Sequence, residues 1–198
     1  MKPTNKPMKR LSLYLFLILF TLQTPSQADD IRDFQIEGVS LGDSLLDYLN
    51  KEEIKRYKAD YYKDDTYDSV TIYPNATSVN IKFYDTLVLS YKTNDDKFSI
   101  VGLSGIIRYA NNIDECFVKM KEVINDLAKT FVNIKPTKIT TINWAMGKNT
   151  TSEFYFKSSD AASVQCTEYD SEYKYDDHLR LVINRKEFSN WISTKAYK

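Results

Sequence analysis

The sequence predicts an α+β domain with helices packed on one face of an antiparallel sheet. Short runs of alternating apolar and polar residues follow one another with only tight turns between, which favours antiparallel pairing over a βαβ plan. One long segment, 112–131, repeats its apolar residues at helical spacing. The runs come in the order helix pair, strands, helix, strands, helix, which suggests two similar β-rich halves, each followed by a helix.

The first element, 33–36, is a short strand or extended lead-in. Ser40 is then placed to cap a helix, with Asp43 three residues on. Leu41, Leu45, Tyr48 and Leu49 recur at helical spacing. Asn50 breaks that helix and caps the next, with Glu53 reaching back and Leu49 and Ile54 stapling the turn. SLGDSLLDYLNKEEIKRY therefore reads as an N-terminal helix pair ending near Tyr57. Residues 57–69 are polar, acidic and tyrosine-rich, and read as a loop or a frayed helix end. Strand-like runs follow at 70–73, at 79–84 (where Val79, Ile81 and Phe83 alternate with polar neighbours) and at 86–91. The last run of this half, 98–109, carries Gly102 and Gly105, the signal of a bulge or bend.

Asn112 caps the central helix, Glu115 sits three residues on, and Ile113, Phe117, Met120, Ile124, Leu127 and Phe131 form one face. Pro136 stops it. Strand-like runs then fall at 139–144, 153–157, 162–168 and 178–184, before a last helix at 186–194 with Phe188, Trp191 and Ile192. The endings IIRYANNIDECF and LVINRKEF share a strand, asparagine, acid, phenylalanine order, the faint trace of a tandem repeat.

The N-terminus has the layout of a secretory signal peptide: basic Lys2, Lys6, Lys9 and Arg10, the uncharged run LSLYLFLILFTL at 11–22, then small Ser26 and Ala28. This uncharged run of 12 residues falls short of the roughly 20 that span a bilayer. The rival reading is an uncleaved anchor. Cleavage is expected after Ala28, leaving 29–198 as one compact domain, with a possible division into lobes near 133–137, located in the periplasm or secreted, and not stably inserted in a membrane. Losing four of 27 basic residues leaves 23 against 27 acidic, a net charge near −4. Nucleic acid is not an expected partner, because phosphate binding needs a basic face.

Cys116 and Cys166 are the two cysteines. In an exported chain an even pair reads as a disulfide; two free buried thiols are the other reading. Such a bond would pin the central helix to a strand of the second half. No Cys-x-x-Cys redox motif is present. No metal or cofactor is expected, since the chain has too few Cys and His for zinc. Asp60, Asp64, Asp65 and Asp68 lack the spacing and glycine of an EF-hand.

Gly42-Asp43-Ser44-Leu45 spells GDSL, and this tetrapeptide resembles the signature of a large esterase and lipase family. The resemblance implies Ser44 as nucleophile. A serine needs a base to take its proton and donors for the oxyanion. The family supplies these from a D-x-x-H near the C-terminus and a G-x-N-D block. Here the single histidine, His178, has Tyr175 three residues before it; Asp176 and Asp177 adjoin it; the nearest approach to the block is Asn111-Asn112-Ile113-Asp114. GLSG at 102–105 lacks the full G-x-S-x-G elbow. An acid pair for glycoside hydrolysis is a matter of distance that sequence does not give. The expectation is therefore a non-enzymatic binding or interaction module for an unknown protein or small-molecule partner, with an esterase using Ser44 and His178 as the alternative. His178 itself reads as a surface histidine leading into a strand, and the tyrosine-and-acid stretches 57–69 and 168–177 as solvated loops suited to protein or sugar contacts.

The stretch IEGVSLGDSLLDY, 36–48, together with SIVGLSGIIRYANNIDEC, resembles a group of small exported proteins of marine bacteria. That resemblance implies export and small size, and no activity. Phe34, Ile36 and Gly38 followed by a helix pair and strands are similar, more loosely, to small outer-membrane-assembly lipoproteins and β-lactamase inhibitor protein. Those are binding modules built from a helix pair and a sheet. This likeness concerns fold, which does not carry function.

Overall fold

The computed structural model describes residues 31–198 apart from Ser78, Asn111 and Val132. The signal-peptide reading of 1–28 and its cleavage site lie outside the described residues. Strands β1 (Gln35–Ile36) and β2 (Val39–Ser40) form a small hairpin. Helix α1 (Lys51–Tyr57) leads into β3 (Lys58–Ala59), β4 (Tyr67–Ile72), β5 (Thr86–Lys92) and β6 (Ile100–Arg108). Helix α2 (Ile113–Thr130) precedes β7 (Thr140–Trp144), β8 (Gly147–Tyr155), β9 (Ala161–Tyr169) and β10 (His178–Asn184), and α3 (Lys186–Thr194) follows.

The class is α+β, and all eight strands from β3 to β10 form one antiparallel sheet in the order β3-β4-β5-β6-β10-β9-β8-β7. Each half is a four-strand meander, and the two meet where β6 pairs with β10, from Gly102 opposite Asn184 to Arg108 opposite His178. The period-2 alternation of strands sends Val70, Leu87, Leu89, Leu103, Val164, Leu179 and Leu181 to one face, where they bury Met120, Ile124 and Leu127 of α2. There Cys116 and Cys166 are bonded, their Cα atoms 6.0 Å apart. Helix α2 starts as expected, with Asn112 Oδ1 accepting the Glu115 N–H. Helix α1 carries the expected capping box of Asn50 and Glu53.

Three expectations are corrected. First, the N-terminal helix pair is a single helix. The segment beginning at Ser40 is β2 followed by a 3-10 turn at Leu45–Asp47. Asp43 does accept the Ser40 N–H, as a capping box would, but Gly42 at φ +91° turns the chain out of a helix. Its peptide groups then bond elsewhere. Gly42 N–H donates to Ile100 O, Ile100 N–H to Asp43 O and Leu45 N–H to Phe98 O. The GDSL stretch is thus stitched to the start of β6, and its apolar residues bury Leu41, Leu45 and Leu49 in the core without helical form.

Second, 79–84 is a loop. The Lys82, Phe83 and Tyr84 N–H groups, which a ladder would need, all donate to the Glu37 carboxylate. Third, the helices do not share one face. Arg185 N–H donates to Val101 O as the chain leaves β10, and Phe188 and Trp191 of α3 then pack with Tyr67, Val101 and Ala196 on the side opposite α2. Gly102 is required there: a Cβ would lie 2.5 Å from the Phe188 ring. The expected irregularity sits beside it, where the β5 register shifts between Ser90 and Tyr91. The meanders are related in strand order by a two-fold normal to the sheet. Such an axis would put both following helices on one face, so the helices do not follow the symmetry of the strand order.

Candidate functional site

Ser44 serves as the N-cap of the 3-10 turn. Its Oγ donates to Lys97 O at 2.6 Å and accepts the Leu46 N–H at 3.2 Å. Its backbone bridges Ser99, just before β6, whereas His178 pairs with Arg108 at the far end of β6. Nine residues of strand at about 3.3 Å each separate the two by roughly 30 Å. Ser44 and His178 therefore do not meet. Asp43, the neighbouring acid, accepts the Tyr48 hydroxyl at 2.5 Å and holds that turn closed.

His178 lies in an aromatic setting, its ring 5.8 Å from that of Tyr169. Burial holds its pKa below the ordinary 6.5; the Arg180 and Arg108 charges add to this, and the Asp176 carbonyl opposes it. The unfolded chain therefore takes up this proton more readily. The histidine's contribution to stability is fully present above pH 6.5 and is lost as pH falls through the depressed folded value. His178→Gln is expected to flatten the fall in urea midpoint just below pH 6.5 relative to the native chain.

Two acids of the tyrosine-rich stretch 57–69 have structural roles, Asp64 in the loop and Asp68 in β4. Asp64 accepts the Trp191 Nε1–H at 2.7 Å and the Thr66 N–H at 2.9 Å, and Asp68 pairs with Lys58. Among the described residues no group of His, Cys, Asp and Glu is arranged to hold a metal ion.

A cleft of about 680 Å³ does open between the β1–β2 hairpin and the loop before β5, a volume within the usual range for small-ligand sites. Phe34, Gln35 and Ile36 form one wall, Lys82, Phe83 and Tyr84 the other, with Leu181 also lining it. The two walls are tied by Glu37. With φ at +53°, followed by Gly38 at +81°, it occupies the first position of a two-residue hairpin turn that needs left-handed backbone at both. This conformation, unfavourable for a residue with a Cβ, carries the carboxylate across to the other wall. One oxygen, Oε1, accepts three successive N–H groups, from Lys82 at 3.0 Å, Phe83 at 2.6 Å and Tyr84 at 3.3 Å.

The clamp fixes what the wall presents. Phe83 stands 78 % exposed at the rim, while Tyr84 turns inward onto the bare backbone of Gly105, where a Cβ would meet its ring at 2.5 Å. Burial, then the Glu37 charge, pushes the Tyr84 phenol up to about 12, so it stays protonated at neutral pH. Lys82 contributes the positive charge of the lining. Phe34 anchors the opposite wall to the core through an edge contact with Phe131 at 5.5 Å.

Sequence reasoning did not find this site. Its one local signal is Glu37-Gly38 between two short apolar runs, a hairpin turn pattern overshadowed by the helical spacing that follows. The 45-residue separation between Glu37 and Lys82 leaves no sequence signature. No family model, curated protein or solved structure matches the chain.

Proposed function

We propose that the chain is an exported binding module, working outside the cytoplasm in the periplasm or beyond, that takes an apolar group carried beside a negative charge into the Glu37-clamped cleft. The observation that carries this reading is Phe83. Its exposed ring sits at the rim of a cleft also lined by Phe34, Ile36, Tyr84 and Leu181, on a loop whose three N–H groups are pinned, so it extends an apolar surface held ready for a ligand. Lys82 beside it attracts an anion, whereas the Glu37 charge that raises the Tyr84 phenol opposes one near Tyr84, so the charged end of the ligand belongs at Lys82. The signal-peptide layout and the disulfide fit an oxidising compartment. Among the described residues no helix is long and apolar enough to cross a membrane. The alternative, an esterase using Ser44, has the GDSL tetrapeptide in its favour and the separation from His178 against it.

Anilinonaphthalene sulfonate, an aromatic body bearing one anion, is a direct probe. Native, disulfide-bonded protein is expected to bind it saturably in a fluorescence titration. Phe83→Ala should weaken binding about tenfold, equivalent to roughly 1.4 kcal/mol, and Lys82→Glu should weaken it further. Both positions are exposed, so neither change threatens the fold. Absence of saturable binding, or unchanged affinity in Phe83→Ala, would reject the cleft as the site.

A further inference from the structure

Among the described residues the eight-stranded sheet has two edges without a neighbouring strand, and they are built differently. The β3 edge is two residues long, and its Lys58 is paired with Asp68; Asp60 follows directly. Short length and charge are how sheet proteins keep an edge from pairing. The β7 edge has neither protection. It is five residues long with every residue exposed, and from Ile139 to Gly147 the sequence ITTINWAMG carries no charge, in a chain that is 27 % charged. Ile142 is 59 % exposed and Trp144 39 %.

We propose that β7 pairs antiparallel with β7 of a second copy, joining two sheets edge to edge into a closed dimer. Self-complementarity points to a copy as the occupant. With the two-fold axis at Ile142, that residue lies opposite Ile142 of the second copy. Thr140 then lies opposite Trp144, and Thr141 opposite Asn143, so no pair in the joint sets like charges against each other. The pairing also closes. It uses up the open edge of both molecules and leaves only the two blunted β3 edges, so the assembly stops at two rather than growing.

The faces agree with this arrangement. Thr141 faces the α2 side, since it bonds Thr150, whose neighbour is Cys166. Thr140, Ile142 and Trp144 therefore lie on the opposite side. There Trp144 meets Tyr169 at 5.8 Å and Tyr169 meets Tyr175 at 5.1 Å. Edge pairing would set Trp144 of each copy beside Thr140 of the other on this side, with one aromatic row at each end of the joint.

The test is the mass of the native protein in solution, by sedimentation equilibrium over a concentration series, beside two variants. Ile142→Lys sets like charges face to face on the axis, on an exposed position that leaves the fold intact. Ile142→Cys is compared under mild oxidation with Val118→Cys on the exposed side of α2. The expected results are a dimer for the native chain, a monomer for Ile142→Lys with an unchanged far-ultraviolet spectrum, and rapid covalent dimer at position 142 but not at 118. A native chain that is monomeric throughout would overturn the proposal and leave an extended peptide of another protein as the edge's occupant. A dimer that survives Ile142→Lys, or cross-linking no faster at 142 than at 118, would also overturn it, by placing the contact elsewhere.

Discussion

Replacing Cys116 and Cys166 together by Ser is expected to lower the stability of the domain by about 4 kcal/mol on the chain-entropy account of a 50-residue loop. For a chain of this size that corresponds to a fall in Tm of roughly 10 °C. The bond ties the first turn of α2 to the β9 strand of the second meander. The two sulfur-bearing residues are 0 % and 1 % exposed, so the tie sits inside the core and the serine hydroxyls would be left there. Urea unfolding of the native and doubly substituted chains, both folded at the start, measures the difference. A loss under about 1 kcal/mol would mean that the apolar contacts of α2 with the sheet already restrict the unfolded chain as much as the bond does.

Phe131→Ala is expected to cost about 4 kcal/mol, the usual scale for deleting a fully buried aromatic ring. Phe131 follows the last residue of α2 and is 0 % exposed. Its ring contacts Phe34 at 5.5 Å, Phe154 at 5.6 Å and Phe156 at 4.9 Å. One side chain thus joins the N-terminal hairpin, the central helix and the second meander, and removing it opens a cavity that no single neighbour can fill. The same denaturation experiment on Phe83→Ala provides the contrast. Phe83 is mostly in water, so its loss should change stability little while it changes probe binding strongly. A small effect at Phe131 would indicate that the three rings collapse onto one another around the gap.

How much of this was legible in the sequence varied with the range of the interactions. The central helix was readable because its cap, its apolar stripe and its stop are all local. Strands β9 and β10 were readable because Val164 and Cys166 alternate with polar residues and Leu179, Leu181 and Ile183 recur at every second position. The early part of β8 was not. It buries Thr150 and Ser152, small polar residues that carry no apolar signal, so only its end near Phe154 showed. The GDSL segment misled because Leu41, Leu45, Tyr48 and Leu49 have helical spacing, and burial against β6 uses the same residues without a helix. The face chosen by α3 depends on the space above Gly102, and the cleft depends on a carboxylate reaching a loop 45 residues away. Neither fact has a local pattern.

Ser44 caps a turn in a disulfide-bonded chain that we propose is an exported binding protein. Intact mass of the chain recovered from the exported fraction, with and without exposure to a fluorophosphonate serine probe, tests that most directly. The account predicts one unlabelled species that begins at Asp29 and is two hydrogens lighter than the reduced chain. A probe adduct mapped to Ser44 would contradict it and make the esterase reading the correct one.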